Sequence, residues 1–229
     1  MKKYRVEPMP DPADPALLSA LEAIETATIG HMRYTGFMDR CIQAVDPGQK
    51  TRAGVAVTVA IPAVCSTLVH YAVSHIRPGD MLVIDRLGDD RHACVGGAVA
   101  RAAKQAGAVG IVVDGPVTDA AEILAEGLPV WCRGTSAITT RQAGLGGTFN
   151  RPIACGNVPV LPGDMVLADA SGVVVLPRDE ADGIAEIAIA REGRVARTMD
   201  RLSAGEKLGE ITGAVRRVED DLAQNGEGA

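Results

Sequence analysis

Gly96–Asp119 reads GGAVARAAKQAGAVGIVVDGPVTD, and this stretch decides the fold. The paired glycines make a turn, and the Ala-rich run from about Val95 to Gln105 predicts a helix. Val109–Asp114 is a short β-branched apolar run, the pattern of a strand buried on both faces. Gly115-Pro116 then turns the chain sharply and delivers Thr118 and Asp119 at the C-terminal end of that strand. Two ingredients of an anion or metal site follow. One is a helix N-terminus whose Gly96 and Gly97 amides are free to approach a ligand. The other is the Asp119 carboxylate. No cation stands beside Asp119, and no second carboxylate stands at Gly97.

Reading outward, Ala53–Ile61 predicts a strand, Cys65–Ile76 a helix, and Pro78–Asp85 (PGDMLVID) a Pro-Gly turn feeding another buried strand. Downstream, a helix begins at Asp119 and a short strand covers Pro129–Cys132. A second Pro-Gly turn opens PGDMVLAD at Pro162–Asp169, which pairs through Ala170-Ser171-Gly172 with Val173–Leu176 as a hairpin. Helices are expected over Pro15–Ile29, capped by Asp14, and over Asp179 to about Leu202. The organisation expected is a leader over 1–14, one α/β domain over 15–212, and a polar tail over 213–229 that frays at its QNGEGA end.

Composition narrows the function classes. Apolar residues make up 47% of the 229-residue chain but aromatics only 3%, so Val, Ile, Leu and Ala must fill the core. A net charge of -6 without a basic, aromatic-interleaved run excludes a nucleic-acid footprint. The five cysteines are scattered, odd in number and without C-x-x-C pairing, which suits reduced thiols in a cytoplasm. The N-terminus lacks the apolar core of a signal peptide, and no run is long enough to span a bilayer. A soluble, cytoplasmic protein with no membrane partner is expected.

Asp119 has two readings. Asp119-x-x-Glu122 is a capping-box pattern, in which side-chain oxygens satisfy the first amides of a helix. As a ligand, one carboxylate holds a divalent cation weakly without waters or partners. The loop RLGDDRHAC crowds Arg86, Asp89, Asp90, Arg91 and His92 on the sheet edge that carries Asp119, where α/β proteins bind ligands. Arg91 is the candidate for gripping a carboxylate in the two-pronged way of a guanidinium. His70 and His75 are five apart and off a common helical face, so they are no metal pair. P-loop, G-x-S-x-G and H-E-x-x-H motifs are absent.

VGGAVARAAKQAGAVGIVVDGPVTD, LPVWCRG and NVPVLPGDMVLADASGVVVLPRDEA together resemble the RraA-like family, over roughly Leu17 to Gly209. That family includes class II pyruvate aldolases acting on 4-hydroxy-4-methyl-2-oxoglutarate and 4-carboxy-4-hydroxy-2-oxoadipate. The resemblance implies a swivelling α/β/β sandwich and assembly as homotrimers or hexamers with sites at subunit boundaries. It also implies a site of an acid, twenty residues, then Arg-Asp, with the two acids holding Mg²⁺ or Mn²⁺. Counted along this chain, the first acid falls on Gly97, the Arg on Thr118 and the Asp on Asp119.

Three functions follow. The first is a metal-dependent carbon–carbon lyase, cleaving an aldol to pyruvate or decarboxylating oxaloacetate through an enolate. Asp119 would anchor the metal, and the amides of Gly96, Gly97, Ala98 and Val99 would hold a substrate carboxylate. Arg91 or His92 would replace the lost cation. The second is a related enzyme with a shifted 2-oxo acid substrate, in which Thr118 donates a hydrogen bond in place of a charge. The third is a non-catalytic regulatory or interaction protein, like the regulators of ribonuclease E that the family also contains, marked by an exposed apolar or charged patch. Glu192, with Glu206 behind it, is the candidate for reaching a neighbouring subunit. Restoring Gly97→Glu with Thr118→Arg is expected to raise aldolase activity.

Overall fold

The computed structural model describes residues 2–226. It contains two compact units, Met1–Glu186 and Ile187–Ala229. The first holds, in chain order, β1 (Tyr4–Val6), α1 (Pro15–Glu22), α2 (Thr26–Gly30), β2 (Gln43–Ala44), β3 (Arg52–Ala60), α3 (Thr67–Val73) and β4 (Asp80–Asp85). It continues with α4 (Gly97–Ala106), β5 (Gly110–Val113), α5 (Ala120–Glu126), β6 (Val130–Cys132) and β7 (Gly147–Phe149). Two hairpins follow, β8 (Ile153–Cys155) with β9 (Val158–Val160) and β10 (Met165–Asp169) with β11 (Gly172–Leu176).

β3, β4, β5 and β6 form the parallel centre of one sheet, with Val57 beside Leu82, Leu82 beside Ile111 and Ile111 beside Val130. These strands are apolar without alternation because both faces are covered. On one face Leu68, Val69, Ala100, Ala103 and Ile123 of α3, α4 and α5 pack on Val57, Ile84 and Val113. On the other, Cys155, Val160, Val166 and Val175 of the hairpins pack on Ala56, Val83, Val112 and Trp131. The expected α/β/β layering results. The far edge of β3 is shared: β10 runs antiparallel to its first half and β7 to its last residues. Gly107 adopts the left-handed conformation (φ 99) that ends α4 and aims β5 back into the sheet.

The elements depart from expectation in several places. Pro15–Ile29 is two helices, because the buried Asp169 carboxylate accepts hydrogen bonds from the Thr26 amide at 2.8 Å and its hydroxyl at 2.7 Å. That starts α2 afresh at Thr26, after α1 has ended at Glu22. Strands β1, β2, β7, β8 and β9 are too short to show a period and were not foreseen. The compact unit that holds the sheet runs to Glu186. The polar tail beyond Gly213 is the helix α8 described below, and of QNGEGA the residues 227–229 lie outside the described residues.

The second unit is helical. It comprises most of α6 (Ala181–Ser203), then α7 (Leu208–Thr212) and α8 (Ala214–Gly226). Val218 and Leu222 repeat at helical spacing on α8, but both are exposed among charges. Their pattern was therefore masked by polar composition. Among the described residues no helix is long and apolar enough to cross a membrane.

Candidate active site at the start of helix α4

β5 delivers Thr118 and Asp119 to the C-terminal edge of the sheet, next to the N-terminus of α4. The Thr118 amide donates to Val95 O at 2.9 Å, which ties this turn to the loop entering α4. Asp119 sits in the left-handed region, at φ 54 and ψ 42, which Asp tolerates better than most residues. Its side chain makes no capping bond to α5, so the capping-box reading fails. The turn aims the carboxylate across to α4 instead. Oδ2 accepts from the Gly97 amide at 3.3 Å, and Oδ1 accepts from the Thr118 hydroxyl at 3.1 Å. The Gly97 amide is thus engaged rather than free, while Ala98 and Val99 occupy the first turn of α4, where amides have no acceptor within the helix.

The second carboxylate, absent from position 97, comes from Glu122. A Cβ added to Gly97 would lie 2.8 Å from Glu122 Cβ and closer still to Oε2. One added to Gly96 would meet Asp119 Oδ2 at 2.5 Å and Thr118 Cγ2 at 2.8 Å. The paired glycines therefore make room for two carboxylates brought in by α5. Sequence reasoning missed Glu122 because it assigned that residue to the capping box. The signal was an acid one helical turn after Asp119 combined with a side chain missing at Gly97.

Beside this point a cavity of about 370 Å³ runs between α4 and α5, lined by Gly97, Ala98, Arg101, Gln105, Glu122 and Glu126 among others. Arg101 donates from Nε to Glu126 Oε1 at 2.8 Å and from Nη2 to the same oxygen at 2.5 Å. The Glu126 bond and charge hold the Arg101 guanidinium above its ordinary value, with a further contribution from Glu122. Reciprocally, the Arg101 bond keeps the Glu126 carboxyl low.

Arg91 and His92 are placed differently from expectation. His92 Nδ1 lies 2.9 Å from Asp89 Oδ2, and the Arg91 amide donates to Asp89 Oδ1 at 3.1 Å. Among the described residues no hydrogen bond or ion pair joins either side chain to Asp119, Glu122 or Gly97. Asp89 also takes Nη2 of Arg86 at 2.6 Å, and Arg86 is fully buried with Nε and Nη1 unpaired. Glu192 lies on α6 in the helical unit, where Glu206 pairs with Arg201.

No group of three or more His, Cys, Asp or Glu side chains among the described residues could hold a metal ion. Two carboxylates do converge on the glycine pair, however. Mg²⁺ is commonly held by one or two carboxylates and otherwise by water, so Asp119 and Glu122 are a donor set that fits it.

A helix-covered α/β/β sheet with carboxylates gathered at a helix N-terminus defines the class. The chain belongs to the RraA-like family, matching the description Aldolase/RraA over residues 22–175. It is 38% identical over 131 residues to a Halalkalibacterium halodurans protein named provisionally as a 4-hydroxy-4-methyl-2-oxoglutarate aldolase, covering 57% of this chain and 62% of that protein. A Thermus thermophilus 4-hydroxy-4-methyl-2-oxoglutarate aldolase is 34% identical over 49% of this chain and 68% of its own length. Among solved structures, Streptomyces coelicolor RraAS2, an unusual member of the RNase ES inhibitor RraA family, superposes with a TM-score of 0.73. It is 30% identical and covers 82% of this chain and 98% of its own.

Proposed function

We propose that the chain is a divalent-metal-dependent carbon–carbon lyase acting on a 2-oxo acid, either cleaving an aldol to pyruvate or decarboxylating oxaloacetate. The observation that carries this reading is the convergence of Asp119 and Glu122 on the Gly96–Gly97 pair. Asp119 turns its carboxylate to the Gly97 amide and makes no capping bond to its own helix.

In this reading Asp119 and Glu122 would hold Mg²⁺ or Mn²⁺. The ion, when bound, supplies Lewis-acid polarisation of the substrate carbonyl. The rest is work for the chain. Thr118 fixes the Asp119 carboxylate by its hydroxyl, which takes up the donor that a shifted substrate would have used. The Ala98 and Val99 amides, at the positive end of α4, bind the substrate's 1-carboxylate. Family resemblance adds assembly as a homotrimer or hexamer, to be checked by light scattering.

The experiment is pyruvate release from oxaloacetate and from the two aldol substrates, with Mg²⁺, Mn²⁺ or EDTA. Metal-dependent release supports the lyase; absence of turnover from all three substrates removes it. A second reading, an interaction protein, is favoured by exposed apolar residues on the helical unit: Ile187, Val195 and Met199 on α6, and Val218 and Leu222 on α8. Inhibition of a ribonuclease E activity by the purified chain would support that reading.

A further inference from the structure

The family's arginine is missing at Thr118, yet the cavity beside Gly97 is not without a cation. We infer that Arg101 binds the distal carboxylate of a dicarboxylic 2-oxo acid, making it the residue that selects diacids over monoacids. This rests on the reading of the Asp119–Glu122 end as the place where the 2-oxo group sits.

The placement follows from helix geometry. Arg101 is four residues after Gly97, so both lie on one face of α4, about 6 Å apart along its axis. Both line the same cavity with Glu122 and Glu126. Unlike Arg91, whose backbone alone is tied down at Asp89 and Ser136, Arg101 has its guanidinium fixed. Glu126 grips it through one carboxylate oxygen and two nitrogens, Nε and Nη2, so Nη1 takes no part in that pair. Glu126 itself is only 19% exposed in its side chain, whereas Arg101 is 65% exposed. The acid is therefore the more buried partner, and Arg101 lines the cavity with Nη1 outside that pair. A four- or five-carbon diacid with its 2-oxo end at Gly97 would place its second carboxylate within reach of that fork. A monoacid such as pyruvate would leave it unused. A guanidinium fork suits this task because it matches a carboxylate geometrically as well as by charge.

The test is calorimetric binding of succinate and of pyruvate to the full chain, with Mg²⁺ present, for the wild type, Arg101→Ala and Arg101→Lys. Thermal unfolding confirms that the variants are folded, as an exposed position should allow. Succinate affinity falls about tenfold in Arg101→Ala and partly recovers in Arg101→Lys, while pyruvate affinity is the same in all three. A wild type that fails to bind succinate, or equal succinate affinity in Arg101→Ala, overturns the assignment. Oxaloacetate turnover is measured separately. Arg101-dependent succinate binding without turnover would remove the lyase and leave the diacid site standing. Turnover with Arg101-independent binding would do the reverse.

Discussion

Glu122 occupies the space that a side chain at Gly97 would need. The nearest obstacle includes Glu122 Cβ, which is fixed to the α5 backbone and cannot swing aside. Gly97→Ala should therefore destabilise the fold by about 1–3 kcal/mol, the usual cost of overpacking. Adding Glu122→Ala, which keeps that Cβ, should return only part of the loss, whereas Glu122→Gly removes the obstacle itself at a helix-propensity cost of about 1 kcal/mol. Urea denaturation of the single and double variants checks it. The same contact changes the gain-of-function design: Gly97→Glu with Thr118→Arg should raise aldolase activity only once Glu122 is replaced by glycine.

Asp119 makes only long or local hydrogen bonds, at 3.3 Å to Gly97 and 3.1 Å to Thr118. Asp119→Asn, which tolerates the left-handed backbone as Asp does, should thus change stability by no more than about 1 kcal/mol. If the carboxylate serves the reaction, activity should fall by a hundredfold or more, roughly the cost of removing one electrostatic stabiliser. Unfolding curves and pyruvate assays on the same preparation separate the two effects.

Arg86 is wholly buried, and Asp89 is its charge partner. Asp89→Ala would strand the cation and should cost roughly 3–5 kcal/mol, whereas Arg86→Met, which removes the charge too, should cost less. The pH response has a definite sign. Burial raises the Asp89 carboxyl, but hydrogen bonds from the Arg91 amide and His92, with the Arg86 charge, outweigh it and leave the group below its ordinary 3.8. Its stabilising contribution is complete above that unfolded value and disappears as pH falls through the depressed folded one. In Asp89→Ala the acid limb of a stability–pH profile should be shallower below about pH 4.

Thiol labelling should be selective. Cys41 is exposed, while Cys65, Cys94, Cys132 and Cys155 are buried. Burial pushes the Cys94 thiol up to about 11 and Cys155 well above 9.0. Native protein treated with an aromatic disulfide reagent near neutral pH should release one equivalent quickly, lost in Cys41→Ser. The remaining thiols should react only on unfolding.

The sequence carried the helix–strand–turn of Gly96–Asp119 and the hairpin of Met165–Leu176 clearly, because those segments are long enough to show a period or a paired turn. It did not carry the break at Ala23–Glu25, which depends on an acid 143 residues away at Asp169. Nor did it carry the site's second carboxylate. Asp119-x-x-Glu122 has one spacing and two uses, and only the left-handed backbone at Asp119 decides between them. Arg101 was hidden likewise, since a cation within an Ala-rich helix looks like a solvated face until α5 is packed beside it.

The shared flank of β3 governs how the chain can be made. β3 meets β4 soon after synthesis, but its other flank is covered only by β7 and β10, from Gly147 onward. Pairing Arg52 with Ala168 closes a very long loop, the slow kind of contact in folding. On the ribosome, a parallel sheet with one open flank must wait while more than half of the α/β unit is still to be translated. Such a nascent edge is a template for a wrong partner. A chain ending before Pro162 would keep it open along Arg52–Val55 and should aggregate where the full chain folds.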